Sequence, residues 1–345
     1  MQSMPLQSPL SVIPKWSLLF TLTLIYGEHS MDDAATHSAT RAAVNWRGIA
    51  WFLILCVGAT WSIEIAALAR GIRFAALTLA TTIMLALIMW IPAVSAFVVR
   101  RWITREGFAS ASLRLGPWKA YLYVLLGVPC LFLIIYALTC VLGLGTFTTD
   151  PSAFLRSLPP LPPGRRIPPA PILFAALGFT SLISGPFLNL IGTFGEEFGW
   201  TGYLLPSLLP LGRWRSVAIY GPIWGLWHAP IIIGGFNYPG HPVAGVLFMC
   251  ALTTAFGLIQ CSLLLRYRSV LLTSFFHGAI NAEARGIWLL LVTSVATLWG
   301  GTVGLVGILI FGGLGVWLLA RTPENPASLY RMATGRGGGD PGSES

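Results

Sequence analysis

Charge is what this chain is short of. Of its 345 residues only 10% are charged, against about 25% in an ordinary soluble domain, while 55% are hydrophobic and the mean hydropathy is +0.75. Water cannot solvate the surface of such a chain, so a soluble globular domain is excluded and lipid is required. Paired cysteines are missing as well. Cys56, Cys130, Cys140, Cys250 and Cys261 all lie in apolar runs, with no CxxC and an odd total, which argues against a disulfide framework and reads as packing. There is no Gly-x-Ser-x-Gly motif and no evident Cys–His pair, so a Ser or Cys nucleophile has no support, and no HExxH helix is present. No internal repeat is evident, which weighs against a repeat-built transporter. The net charge of +9 excludes little by itself. The basic residues sit in short clusters between apolar runs, where flanking charges anchor helices at headgroups, so no nucleic-acid partner is expected and the lipid bilayer is.

What is abundant is long apolar segments. At about 20 apolar residues per span, they predict an all-α, polytopic transmembrane helical bundle of about eight spans, seven at least and nine at most. The expected runs are 48–69, 74–99, 118–142, 172–193, 217–233, 243–265, 270–284 and 302–320, with a more polar helix near 195–209. The stretch 288–299 is apolar but short, and either extends the preceding helix or crosses separately. Residues 1–46 form a separate N-terminal segment. Its run 16–26 is shorter than a span and reads as a signal or anchor segment, or Met31 is the true start. Residues 47–143 hold three spans with a basic connection at 100–119, whose Arg100, Arg101, Arg105, Arg114 and Lys119 alternate with apolar residues as in a segment lying in the interface. Residues 144–171 are a proline-rich loop of extended, polyproline-like character. Residues 172–320 are the core expected to carry chemistry, and 321–345 a disordered tail. Seven basic residues on the side of the 100–119 connection against five opposite favour the former as cytoplasmic.

A carboxylate at mid-bilayer costs roughly 2.5–3.5 kcal/mol on insertion scales, so acids inside apolar runs are functional candidates by default. Four stand there: Glu64, Glu196, Glu197 and Glu283. Glu64 reads equally well as a hydrated or paired acid near a helix end. Among the histidines, His29 and His37 are in the polar N-terminal region and His241 is in a loop. His228 and His277 lie in apolar helices. His277 and Asn281 are four apart and share a helix face, so both can donate toward one point. Glu196 and Glu197 point about 100° apart on a helix, which gives them different tasks. Gly195, Gly199, Gly202 and Gly225 permit close helix approach.

These segments, Glu196-Glu197, Trp224 with His228, and His277 with Asn281, resemble in order and setting the three motifs of the CAAX prenyl endopeptidase and bacteriocin-processing (CPBP) family of intramembrane proteases. The resemblance covers about residues 100–320, with the motifs within 196–281. It departs at Thr201, where the family has an Arg four residues after the second Glu. Another cation such as Arg213 or Arg285 replaces it, Glu197 is held neutral, or activity is lost.

The resemblance implies an endopeptidase acting on a membrane-proximal peptide or protein, in the plasma membrane of a bacterium. Glu196 is the expected general base, His228 a holder of the attacking water, and His277 and Asn281 donors to the oxyanion. Glu197 orients a neighbour. Glu with two His is also a known zinc set. Glu196, His228 and His277 are therefore the candidate ligands if zinc or another divalent metal takes part, with a metal-free mechanism equally open. Two alternatives stand: an inactive homologue serving as a bacteriocin-immunity or membrane chaperone protein, and a proton-coupled transporter in which buried Glu and His relay protons.

Overall fold

A computed structural model describes residues 43–76, 78–157 and 167–323. The N-terminal signal or anchor run, the alternative start at Met31, the centre of the proline-rich loop and the tail beyond residue 323 lie outside the described residues.

The protein is a bundle of helices. Helix α1, Trp46–Ala69, opens on Asn45, whose side chain accepts from the backbone N–H of Gly48 at 3.0 Å and satisfies one of the otherwise orphaned first-turn donors. Its 24 residues reach about 36 Å, more than the hydrocarbon core requires. Helix α2, Leu79–Ile88, and α3, Ile91–Val98, follow end to end, with a wide helical turn at Val99–Ile103. Then come α4, Trp118–Val141, and after strand β1, Thr146–Phe147, the short α5, Ser152–Ser157. Helices α6, Ala170–Phe179, α7, Gly185–Gly199, and α8, Leu205–Leu208, make one path through two wide turns at Thr180–Ser184 and Trp200–Leu204. Helix α9, Arg213–Trp227, breaks at His228 into α10, Ala229–Ile233. The last elements are α11, Pro242–Tyr267, α12, Val270–Ala284, α13, Trp288–Leu291, strand β2, Val292–Thr293, and α14, Leu305–Ala320.

The surface is inside out relative to a soluble protein. Leu79, Leu87, Val141, Ile191 and Val243 are exposed, while Thr60, Glu64, Arg100, Glu196, Glu197, Gln260 and His277 are buried. Among the described residues, five segments are long and apolar enough to cross a membrane: Trp46–Ala69, Leu79–Ile103, Trp118–Val141, Ala170–Leu211 and Pro242–Tyr267. Leu305–Ala320 is a shorter apolar helix. This multi-pass helical architecture is the expected class, with differences in detail.

The runs expected at 217–233 and 270–284 form helices of only 15 residues each, α9 and α12. Both are enclosed by protein: α9 packs along α11, and α12 is held between α7 and α4. A helix shielded by its neighbours does not have to match the bilayer thickness. The runs 172–193 and 195–209 are one continuous 42-residue path instead of two helices. Within the basic connection expected to lie in the interface, Arg100 faces protein and not lipid. It is 1% exposed, donating to the Gly107 carbonyl at 3.0 Å, Ser110 Oγ at 2.7 Å and the Gly202 carbonyl at 2.7 Å, and pairing with Glu106 at 2.7 Å. The 288–299 stretch neither extends α12 nor crosses; it turns through α13 into β2, which pairs antiparallel with β1, Thr146 opposite Thr293 and Phe147 opposite Val292.

Two glycines set helix spacing around the core. A Cβ on Gly199 would lie 2.5 Å from Pro92 Cβ, so α7 is seated directly on α3. One on Gly225 would lie 2.4 Å from Cys250 Cα, which brings α9 onto the backbone of α11.

Candidate active site

Helix α7 delivers Glu196 and Glu197 at its last turn, just before the helix widens at Trp200–Leu204. Such widened turns recur at functional sites because they re-aim side chains without ending the helix. The two carboxyls diverge, as adjacent helical positions must. Glu196 faces a cavity of about 700 Å³, which His228, His277 and Asn281 also line. Glu197 is absent from that lining, fully buried on the far side of His277.

Each acid has its own partners. The indole Nε1 of Trp224 donates to Glu196 Oε2 at 3.3 Å. Glu197 Oε1 accepts from His277 Nδ1 at 2.9 Å and from Gln260 Nε2 at 2.7 Å. Gln260 Oε1 accepts in turn from the Tyr220 hydroxyl at 2.9 Å, which fixes the amide's orientation. Among the described residues Glu197 Oε2 has no hydrogen-bond partner.

Both imidazoles are oriented the same way. His228 caps the end of α9, where its Nδ1 donates to the Trp224 carbonyl at 3.0 Å, one turn back. His277 Nδ1 is taken by Glu197. With Nδ1 engaged in each ring, Nε2 is the atom left to work. Trp224 stands between them, its ring 5.4 Å from that of His277 and 6.3 Å from that of His228. Trp227 packs edge-on to His228 at 4.7 Å.

Thr201 does not compensate for the absent Arg by itself. Its hydroxyl donates to the Glu197 carbonyl at 3.0 Å and lies 2.8 Å from Thr273 Oγ1. The candidate replacement cations sit elsewhere. Arg213 donates to the Thr322 carbonyl and lies over Trp214 at 5.7 Å. Arg285 lines the cavity, with its guanidinium 5.5 Å from the Phe236 ring centroid. Among the described residues neither pairs with Glu197, whose ionic partner is His277.

Glu196, His228 and His277 are the candidate metal ligands, but among the described residues no group of three or more His, Cys, Asp and Glu side chains is placed to hold a metal ion. The arrangement does not fit a resident metal.

All five candidate site residues thus fall in one neighbourhood, four on the cavity and Glu197 behind it. Gln260 and Tyr220 are additional. Gln260 carried a signal, being an amide in the middle of a long apolar helix, of the same kind as that of the buried acids. Tyr220 had none, since a Tyr in an apolar run is ordinary. Glu64 also lines the cavity and is buried within α1, not exposed at its end.

The model of the type II CAAX prenyl endopeptidase Rce1-like family matches residues 178–282, from the end of α6 to the end of α12. That stretch holds Glu196, Glu197, His228, His277 and Asn281. CAAX prenyl protease 2 of Methanococcus maripaludis is 28% identical over 108 residues, covering 30% of this chain and 40% of that protein. The chain therefore matches about two fifths of the length of this curated relative. Residues 178–282 form a domain of the Rce1-like type II CAAX prenyl endopeptidase family within a multi-pass helical membrane protein.

Proposed function

We propose that the protein is an intramembrane endopeptidase that hydrolyses a peptide bond in a membrane-proximal peptide or protein with a Glu196-activated water. The observation that carries this is the convergence of Glu196, His228, His277 and Asn281 on one cavity, with Glu197 behind His277. A transporter relay needs groups strung along a path; here they surround a single volume.

Hydrolysis proceeds as follows. A water between Glu196 and His228 Nε2 gives a proton to the Glu196 carboxylate, and its oxygen attacks the scissile carbonyl carbon. The developing oxyanion accepts from the Asn281 amide and from His277 Nε2–H, with Glu197 on Nδ1 supporting the imidazolium form. The tetrahedral intermediate collapses, the C–N bond breaks, and the proton on Glu196 passes to the departing amine. Trp224 holds Glu196 through its indole N–H and packs against both imidazoles, so one side chain sets the spacing of base and donors. The substrate reaches the cavity from the bilayer, whose apolar phase continues into walls of Leu85, Met89, Leu188 and Ile191.

The test is cleavage of a lipid-proximal fluorogenic peptide library by purified protein in detergent, wild type against Glu196→Ala, with and without chelator. The expected outcome is loss of cleavage in the variant and no effect of chelator. Equal cleavage by both proteins would remove Glu196 as the base. Thr201 favours a second reading, a family member without activity that serves as an immunity or chaperone protein. Absence of cleavage by a stably folded wild type across the library supports that one.

A further inference from the structure

Glu64 lies outside the matched domain and outside every motif, yet α1 aims it at the same cavity as Glu196. Along α1, Phe52, Cys56, Thr60 and Glu64 recur every fourth residue and are all buried, so they form one inward face. The register of that face is pinned beside the site. Trp227 Nε1 donates to Thr60 Oγ1 at 2.8 Å, and Trp61 Nε1 donates to the Trp227 carbonyl at 3.2 Å. Trp227 immediately precedes His228, and Glu64 is the next turn of α1 after Thr60, about 6 Å further along.

Despite Glu64 being 1% exposed, among the described residues its Oε2 has no hydrogen-bond partner and no Lys or Arg forms an ion pair with it. A structural carboxyl at this depth would be paired, because an unpartnered one is costly in a low-dielectric interior. A carboxyl waiting for a ligand is left open. The cavity offers the ligand's geometry. The oxyanion donors His277 and Asn281 come from α12, which is held between α7 and α4, whereas Glu64 comes from α1, which packs on α3 and α10. A trans peptide directs its C=O and N–H to opposite sides. A substrate amide with its oxygen toward α12 turns its N–H away from that helix, and α1, which packs on other helices, brings Glu64 to the same cavity.

We propose that Glu64 is a substrate-binding residue of this site, its carboxyl accepting the hydrogen bond of the scissile amide N–H and then holding the departing amine. This rests on the endopeptidase reading and adds to it a preference for amides over esters. No proton transfer is assigned to Glu64; the proton reaches nitrogen from Glu196.

The experiment compares a fluorogenic apolar peptide with its depsipeptide twin, in which an ester oxygen replaces the scissile N–H. Loss of a buried acceptor predicts that Glu64→Ala lowers kcat/KM on the amide by about tenfold while the ester changes by less than about threefold, with Glu64→Gln, which keeps a carbonyl acceptor, intermediate on the amide. Thermal unfolding in detergent verifies that each variant is folded, and Glu64→Gln keeps the shape of the site if the Ala variant is not. Equal losses on both substrates, or no loss on the amide, overturn the proposal. If wild type and Glu196→Ala cleave both substrates alike, it is the endopeptidase reading that has failed. Binding then decides for Glu64. By fluorescence anisotropy, Glu64→Ala in the Glu196→Ala background weakens binding of the amide probe about tenfold and leaves the ester probe unchanged. Equal binding of the amide probe with and without Glu64 refutes the assignment.

Discussion

Restoring the family's Arg at Thr201 is the most informative single change. Glu197 Oε2 has no partner among the described residues, so one acceptor is available to a guanidinium at position 201. The surroundings oppose it. Thr201 is fully buried, and its hydroxyl is committed to the Glu197 carbonyl and to Thr273. Thr201→Arg forfeits that bonding, about 1 kcal/mol, and forces a longer side chain into a filled site, about 1–3 kcal/mol. A charge-assisted bond to Oε2 returns about 1.5–3 kcal/mol, but a guanidinium carries five donors, and each one buried without a partner costs about 1–3 kcal/mol. The donors outnumber the free acceptor, so the net effect is a destabilisation of about 2–4 kcal/mol. At roughly 2 °C per kcal/mol for a chain of this size, the Tm in detergent, followed by tryptophan fluorescence, falls by about 4–8 °C. Thr273→Ala in the same background makes room and recovers part of the loss. A Tm at or above wild type for Thr201→Arg refutes the reasoning, since it would mean that the space beside Glu197 is kept open for a cation.

Gln260→Leu removes one of the two donors to Glu197 and strands the Tyr220 hydroxyl; the expected cost is about 2–4 kcal/mol of stability, read as thermal unfolding, with a parallel loss of cleavage as His277 loses its fixed partner. Asn281→Ala removes the proposed oxyanion donor, a side chain with no hydrogen bond among the described residues, so kcat falls by about 10²–10³-fold with KM and Tm little changed, and an unaltered kcat would remove Asn281 from the mechanism. Burial lifts the Glu106 carboxyl above the usual Glu range, and the opposing pull of Arg100 is smaller. The folded state therefore holds this proton more tightly than the unfolded state. The contribution to stability is complete below the ordinary Glu value and is lost as pH rises through the raised one. In a series of unfolding curves from about pH 4 upward, Glu106→Gln removes that part of the pH dependence.

The class of fold was legible because solvent physics acts on composition: a chain with so few charges has no aqueous surface. The ordered polar set was legible for the same reason, since Glu196, Glu197, His228 and His277 are expensive where they stand. Helix lengths were not legible. The short α9 and α12 are permitted by tertiary enclosure, which a hydropathy window does not see. Arg100 misled for a related reason. An Arg beside Arg101 and Trp102 has the sequence look of a headgroup anchor, but the Gly202 and Gly107 carbonyls that bind it are supplied by chain elsewhere. The same holds at Thr201. The groups that bond the Glu197 carboxylate are His277 and Gln260, the latter 63 residues away and uncharged, so a search for a substitute cation could not find it.

The two-residue ladder between β1 and β2 has a consequence for folding. Every motif residue lies in the chain between Thr146 and Thr293, so pairing these strands closes a loop of roughly 150 residues around the whole site. Closing so long a loop costs on the order of 4–5 kcal/mol in chain entropy, more than two paired residues return. The ladder therefore cannot nucleate the bundle. It forms only after helix packing has brought its ends together, and it opens before that packing does. Amide exchange at Thr148, whose N–H donates to the Leu291 carbonyl at 2.9 Å, consequently reports on the opening of this ladder ahead of the bundle.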